Sequence, residues 1–267
     1  MSIKSKVFAA TAALTLIGGV SATGALTAGT ADAATPSCST CGEFFSQQFG
    51  TFATPNFVLD TLRQGEKAGQ PEILFRASNL DPAEDYSISD QGYVSNFYLA
   101  GLVSASVAVH YGGLGCLAGY TSPSGCTTYY PNLLAYEIEY SPYGVDSNLC
   151  VGVGTIAAPG TEVTLQPCGV TSKTVWIADT SAIAPDTTTA APLINGSDTN
   201  FSEPYVLTYP TNSYPTDMPR AQLYVTNLTG STVAATGYPT AGTVTAQQLW
   251  GQVTGPLTFV GSLGLQP

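Results

Sequence analysis

Apolar and polar positions alternate in short runs along most of this chain, and Gly, Pro, Asn and Ser punctuate them. Leu149–Val153 and Val163–Leu165 are two such runs, with Gly160 between them as a turn residue. Runs of this length around a Gly turn predict a hairpin of half-buried strands rather than a helix. Cys150 opens the first run, Cys168 closes the second, and Trp176 ends the unit as a large anchor. The pattern recurs upstream. Strands are expected at Phe57–Leu62 and Ile73–Arg76, around a polar turn holding Gly65 and Gly69, and Tyr86 ends that unit. The separation from Val58 to Tyr86 is 28, close to the 26 from Cys150 to Trp176. A third, looser copy has strands at Tyr205–Thr208 and Gln222–Thr226 and ends on Trp250. Between the first two copies a strand is expected at Tyr136–Tyr140, preceded by an inserted hairpin and loop over Phe97–Asn132. Asp179–Pro192, rich in Thr, Ala and Pro, reads as a linker.

The second copy resembles one repeat of the ricin-type β-trefoil lectin domain. The residues that carry the likeness are Cys150-Val151-Gly152, Gly160, Cys168 and Thr174-Val175-Trp176. They stand where that family runs Cys-Leu-Asp, a Gly turn, a second Cys and Gln-x-Trp. In the first copy Asp60 falls on the family's Asp, Glu84-Asp85-Tyr86 on Gln-x-Trp, and Gly92-Tyr93-Val94 on the following Gly-x-Ile. Gln248-Leu249-Trp250 is a literal Gln-x-Trp. The resemblance implies an all-β protein, a β-trefoil with three hairpin repeats and insertions. One such unit cannot bury its own apolar face, whereas three hairpins capping a short barrel can, and closure removes sheet edges. The expected organisation is a targeting segment over residues 1–33, a lead-in over 34–55 and the trefoil over 56–267. Its repeats fall at about 56–96, 135–180 and 201–253. The lead-in carries Phe44, Phe45, Phe49 and Phe52 and can supply a first strand.

The targeting segment changes the reading of the cysteines. Lys4 and Lys6 precede an apolar stretch from Val7 to Val20, and Ala31-Asp32-Ala33 offers a small-x-small cleavage site before Ala34. This is the pattern of a secretory signal peptide and predicts a secreted protein without membrane insertion. All six cysteines follow it, so disulfides are expected in an oxidising compartment. Six cysteines allow fifteen pairings. Proximity favours Cys150 with Cys168, Cys116 with Cys126 and Cys38 with Cys41; the repeat resemblance supports the first. Beyond Ala33 there are 5 basic and 17 acidic residues, a net charge of −12. That balance argues against nucleic acid and anionic lipid, which attract clusters of Lys and Arg.

Candidate chemistry is sparse. The one histidine, His110, sits in a small apolar stretch and reads as a packed side chain. No nucleophile elbow, phosphate loop, dinucleotide fingerprint or His-rich metal motif is present, and no cofactor or metal is expected. Glu137 and Glu139 share a strand face and are the pair a glycosidase reading would use. Sugar recognition needs a few fixed acceptors and an aromatic platform. The resemblance places that site at Asp60, with Phe75 as the ring and Ala83 where the family has an Asn. Gly152 and Thr208 replace the Asp in the other repeats, and Gln247 and Gln248 offer amides in the third. Asn195, Asn200 and Asn227 begin Asn-x-Ser/Thr acceptor patterns. The resulting expectation is a secreted, non-catalytic binding module with glycans as the ligand class. Its alternatives are a glycan hydrolase without a readable motif and a protein-binding trefoil like the secreted protease inhibitors of that fold.

Overall fold

A computed structural model describes residues 42–47, 57–61, 67–76, 82–112, 133–178, 190–201, 203–209, 221–228 and 244–254. All lie within the unit Ala34–Pro267. The strands are β1 (Gly42–Ser46), β2 (Phe57–Thr61), β3 (Glu72–Arg76), β4 (Tyr86–Tyr93), β5 (Leu134–Tyr140), β6 (Leu149–Val153) and β7 (Thr161–Pro167). They continue as β8 (Val175–Ala178), β9 (Leu193–Asn195), β10 (Tyr205–Thr208), β11 (Ala221–Gln222), β12 (Tyr224–Asn227) and β13 (Trp250–Thr254). All but one pairing registers as expected for antiparallel neighbours without interruption; the exception is a bulge between Ile88 and Asp90 in the β4–β5 ladder.

The pairings close on themselves. β1 pairs β4, β4 pairs β5, β5 pairs β8 and β8 pairs β9. A bridge between Ala191 and Trp250 carries the ring from β9 to β13, and β13 returns to β1. A second ring runs through β5, β6, β7, β12, β10, β9 and β8 and back to β5. Three hairpins stand on this barrel: β2–β3, β6–β7 and β10 with β12. Gly160 makes the β6–β7 turn with φ of +84°, a conformation that favours a residue without Cβ.

The hairpins meet one another as well as the barrel. Pro71 bridges Thr164, Glu162 pairs Tyr224, and Leu74 pairs Ala221. At their junction the Gln222 side chain donates from Nε2 to the carbonyls of Val163 (2.7 Å), Glu72 (3.0 Å) and Leu223 (3.1 Å). Those three carbonyls come from corresponding positions of the three hairpins, so one amide marks a threefold centre. The architecture is all-β and trefoil-like.

Two apolar layers result from strand alternation. Phe44, Tyr86, Tyr136, Ile138, Val151, Leu165, Trp176, Leu207 and Trp250 pack inside the barrel. Ala135, Val175, Ile177, Ile194 and Val206 face outward and are covered by a second cluster containing Val94, Phe97, Val107 and Tyr111. That cover is helical: α1 (Val94–Leu99) and α2 (Ala105–Gly112). The inserted hairpin expected from Phe97 onward is therefore a helical pair as far as Gly112, and residues 113–132 lie outside the described residues. The run Leu102–Tyr111 reads as a strand by composition. Ser104 instead starts a helix, its Oγ accepting from Val107 N–H at 3.2 Å. Packing on the outer face of the barrel then outweighs the β propensity of the valines.

The lead-in supplies β1, whose five residues are all buried. Leu193–Asn195, beyond the expected linker, supplies β9. Cys150 and Cys168 are bonded, S–S 2.06 Å, across the ends of the β6–β7 hairpin. Cys38, Cys41, Cys116 and Cys126 lie outside the described residues.

Candidate functional site

The barrel anchors align the three units. Trp176 Nε1 donates to Val151 O at 2.8 Å, and Trp250 Nε1 to Leu207 O at 2.9 Å. The residues that follow these acceptors are Gly152 and Thr208, and the matching residue of the first unit is Asp60. Each has a different environment. A Cβ on Gly152 would stand 2.7 Å from Lys173 O and 3.0 Å from Thr174 Cγ2, so backbone already fills that space. Thr208 Oγ1 is hydrogen-bonded to Thr226 Oγ1 (2.8 Å) and accepts from Gln248 Nε2 (3.2 Å). Gln248 is buried and also donates to Asn227 O at 2.8 Å, which places its amide within the third unit. Gln247 is half-buried, and its carbonyl accepts from Tyr209 N–H at 3.2 Å. Asp60 lies on β2 with only 3% of its surface exposed. Phe75 is opposite Val58 in the β2–β3 ladder, and Ala83 is buried.

Asp60 has an acidic neighbour. Glu72 occupies the hairpin position that Val163 and Leu223 hold in the other two units, and it is fully buried. Its Oε2 accepts from Tyr86 Oη at 2.6 Å and its Oε1 from Thr61 Oγ1 at 2.9 Å. Burial pushes the Glu72 carboxyl up to about 8; the two hydroxyl donors pull the other way and the Asp60 charge adds to the rise. Tyr86 and Glu72 form a matched pair: where the other units have an indole that reaches a backbone carbonyl, this one has a phenol that reaches a carboxyl.

Glu137 and Glu139 are both committed to local structure. Glu137 accepts from Gly169 N–H (3.0 and 3.1 Å to its two oxygens) and, in a short bond, from Thr174 Oγ1. Glu139 Oε1 accepts from Asn148 N–H at 2.7 Å, and Asn148 has φ of +59°. His110 stacks on Phe201, ring centroids 4.4 Å apart, and burial pushes its pKa down to about 4, so the imidazole is neutral. Tyr111 beside it donates to Asp198 Oδ2 at 2.8 Å, tying α2 to the loop after β9. Of the glycosylation patterns, Asn195 is buried with its Nδ2 on Lys173 O at 3.0 Å, which closes it to modification. Asn227 Nδ2 donates to Glu203 Oε2 at 2.6 Å. Among the described residues no group of three His, Cys, Asp or Glu could hold a metal ion.

One corner was not singled out by sequence. The pairing of Gly42 with Tyr86 places Glu43 opposite Asp85. Glu43 corresponds to Glu137 of the second unit, yet its Oε2 is buried without a hydrogen-bond partner among the described residues. Burial first, and the Asp85 charge second, push its pKa up to about 7. Asp85 is half-buried, and its Oδ2 accepts from Tyr143 N–H at 2.9 Å. Tyr143 has φ of +56°, and its side chain is 45% exposed. Neither the orphaned oxygen nor the positive φ has a sequence signature, since both depend on which segments meet.

No protein-family model matches the sequence, and no curated protein matches it. Solved structures do resemble it. One is a designed threefold-symmetric protein, ThreeFoil, at TM-score 0.45 and 9% identity, with 80% of this chain and 97% of that chain covered. A Caenorhabditis elegans protein of unknown function gives 0.38 at 9% identity, over 84% of this chain and 98% of that one. The SDF2-like protein from Arabidopsis thaliana gives 0.37 at 8% identity, over 84% and 96%.

Proposed function

We propose that this chain is a secreted, non-catalytic binding module built as a ricin-type β-trefoil, with weak carbohydrate recognition in its first unit. The observation that carries the reading is the unequal fate of the position shared by Asp60, Gly152 and Thr208. Backbone occupies it in the second unit and a side-chain network in the third. Only the first unit keeps a carboxylate there, and charged acceptors make the stronger hydrogen bonds to hydroxyls. The bonds from Gly169 and Asn148 to Glu137 and Glu139 favour a non-catalytic reading over a glycosidase, because both carboxylates already serve the fold. Burial of Asp60 and Ala83 in place of an amide favour weak binding, on the order of millimolar, about 4 kcal/mol in total.

The test is a glycan array followed by calorimetry on the wild-type chain and on Asp60→Asn. Binding of at least one glycan by the wild type is expected. An array without a single glycan bound, by a chain that is folded, would overturn the carbohydrate reading and leave a protein-binding trefoil. The Asp60→Asn variant reports whether the hairpin position itself touches the sugar.

A further inference from the structure

The carbohydrate reading leaves open where on the first unit a sugar would sit, and the inference that follows rests on that reading. We propose that the corner formed by Glu43, Asp85 and Tyr143 is the carbohydrate site, with the Tyr143 ring as platform and the two carboxyl groups as hydroxyl partners.

The first argument is the state of Glu43. It is 9% exposed, and its Oε2 has no hydrogen-bond partner among the described residues. A buried polar atom left unsatisfied is costly, and folded proteins seldom retain one without a role. The comparison within the molecule sharpens the point. At the corresponding position Glu137 is served by Gly169 N–H and Thr174 Oγ1. In the first unit Glu84 stands where Thr174 stands in the second, and a carboxyl replaces the hydroxyl donor. A ligand hydroxyl supplies the kind of donor that Thr174 gives Glu137.

The second argument is the presentation of Tyr143. Its N–H is held by Asp85 Oδ2, and Ser141 N–H by Asp85 O at 2.8 Å, so Asp85 fixes the turn that carries the ring. The positive φ of Tyr143 is unfavourable for a residue with a side chain, and Gly would suit the turn better. A tyrosine retained there, with 45% of its surface open, offers a flat apolar face beside acidic groups. That is the chemistry that recognises a pyranose: a ring to stack on and acceptors for adjacent hydroxyls. Two carboxyl groups side by side disfavour anionic sugars, so the ligand class is a neutral or amino sugar. With its pKa near 7, Glu43 both donates and accepts close to neutrality.

Calorimetry with a neutral glycan found by array, on the wild type, Tyr143→Gly, Glu43→Gln and Asp60→Asn, tests the assignment. Tyr143→Gly removes the ring and relieves the positive φ, so its Tm should equal or exceed that of the wild type. Its Kd should rise at least about tenfold. Glu43→Gln should also raise Kd. A Tyr143→Gly variant that binds like the wild type overturns the site. If Asp60→Asn then abolishes binding, the site falls while the carbohydrate reading stands. A wild type that binds no neutral or amino sugar overturns the site too, and with no glycan of any kind bound both fall.

Discussion

At the residue scale the molecule treats similar side chains in opposite ways. Glu72 and Tyr86 are polar replacements inside the core, and each answers the other through a 2.6 Å bond. Tyr136 has no such answer. Its ring packs against Phe44 inside the barrel, and its hydroxyl is buried without a hydrogen-bond partner among the described residues. Removing a buried group that bonds to nothing recovers a desolvation penalty of about 1–3 kcal/mol. Tyr136→Phe is therefore expected to keep or raise stability, as measured by denaturant unfolding. A loss above about 1 kcal/mol would show that the hydroxyl has a partner in solution.

At the element scale the unit is a hairpin followed by an anchor. The β6–β7 hairpin is closed by its disulfide, and Trp176 seals it by donating to the middle of β6. The third unit repeats the seal with Trp250 and Leu207 although insertions lengthen it. Both indoles are fully buried. Trp176→Ala and Trp250→Ala should each cost about 3–5 kcal/mol. Urea denaturation of the two variants checks this, and two costs of similar size are the signature of equivalent anchors. If one variant lost less than about 1 kcal/mol, the equivalence would fail. The helical pair follows another logic. It covers outward-facing strand residues, and its attachment through Tyr111 and Asp198 depends on a carboxyl that burial raises to about 6.

At the scale of the whole molecule the buried acids set the pH response. Burial raises the folded pKa values of Glu72, Glu43 and Asp198 to about 8, 7 and 6, each above the ordinary value for its type. The folded state thus holds these protons more tightly than the unfolded chain. Their contribution is fully present below the unfolded values near 4 and is lost as pH rises through 6, 7 and 8. The acidic net charge adds self-repulsion over the same range. His110 works in the other direction, but only as pH falls from 6.5 towards 4. Thermal unfolding should therefore give a higher Tm near pH 5 than near pH 8. In Glu72→Gln the decline should be shallower. A Tm that rises steadily from pH 5 to pH 8 would contradict the burial of these carboxyls.

Short alternating runs, Gly turns and end residues of matching spacing were enough to read an all-β chain of three related units and to match Asp60, Gly152 and Thr208. Those features are local, and a strand, a turn and a hairpin disulfide are decided within some thirty residues. The β6–β7 hairpin and the Cys150–Cys168 bond belong to this class. What tertiary structure alone decided involves partners far apart in the chain. β1 is a barrel strand because β13 pairs with it along its whole length. The valine-rich run after Ser104 is a helix because an outer barrel face was there to receive it. Gln222 locks three hairpins because their carbonyls converge. Glu43 Oε2 has no hydrogen-bond partner among the described residues, and the ladder sets Asp85 opposite it. An isolated strand carries no record of which distant segment will face it, so burial, orphaned atoms and the corner at Tyr143 emerge only when the ring closes.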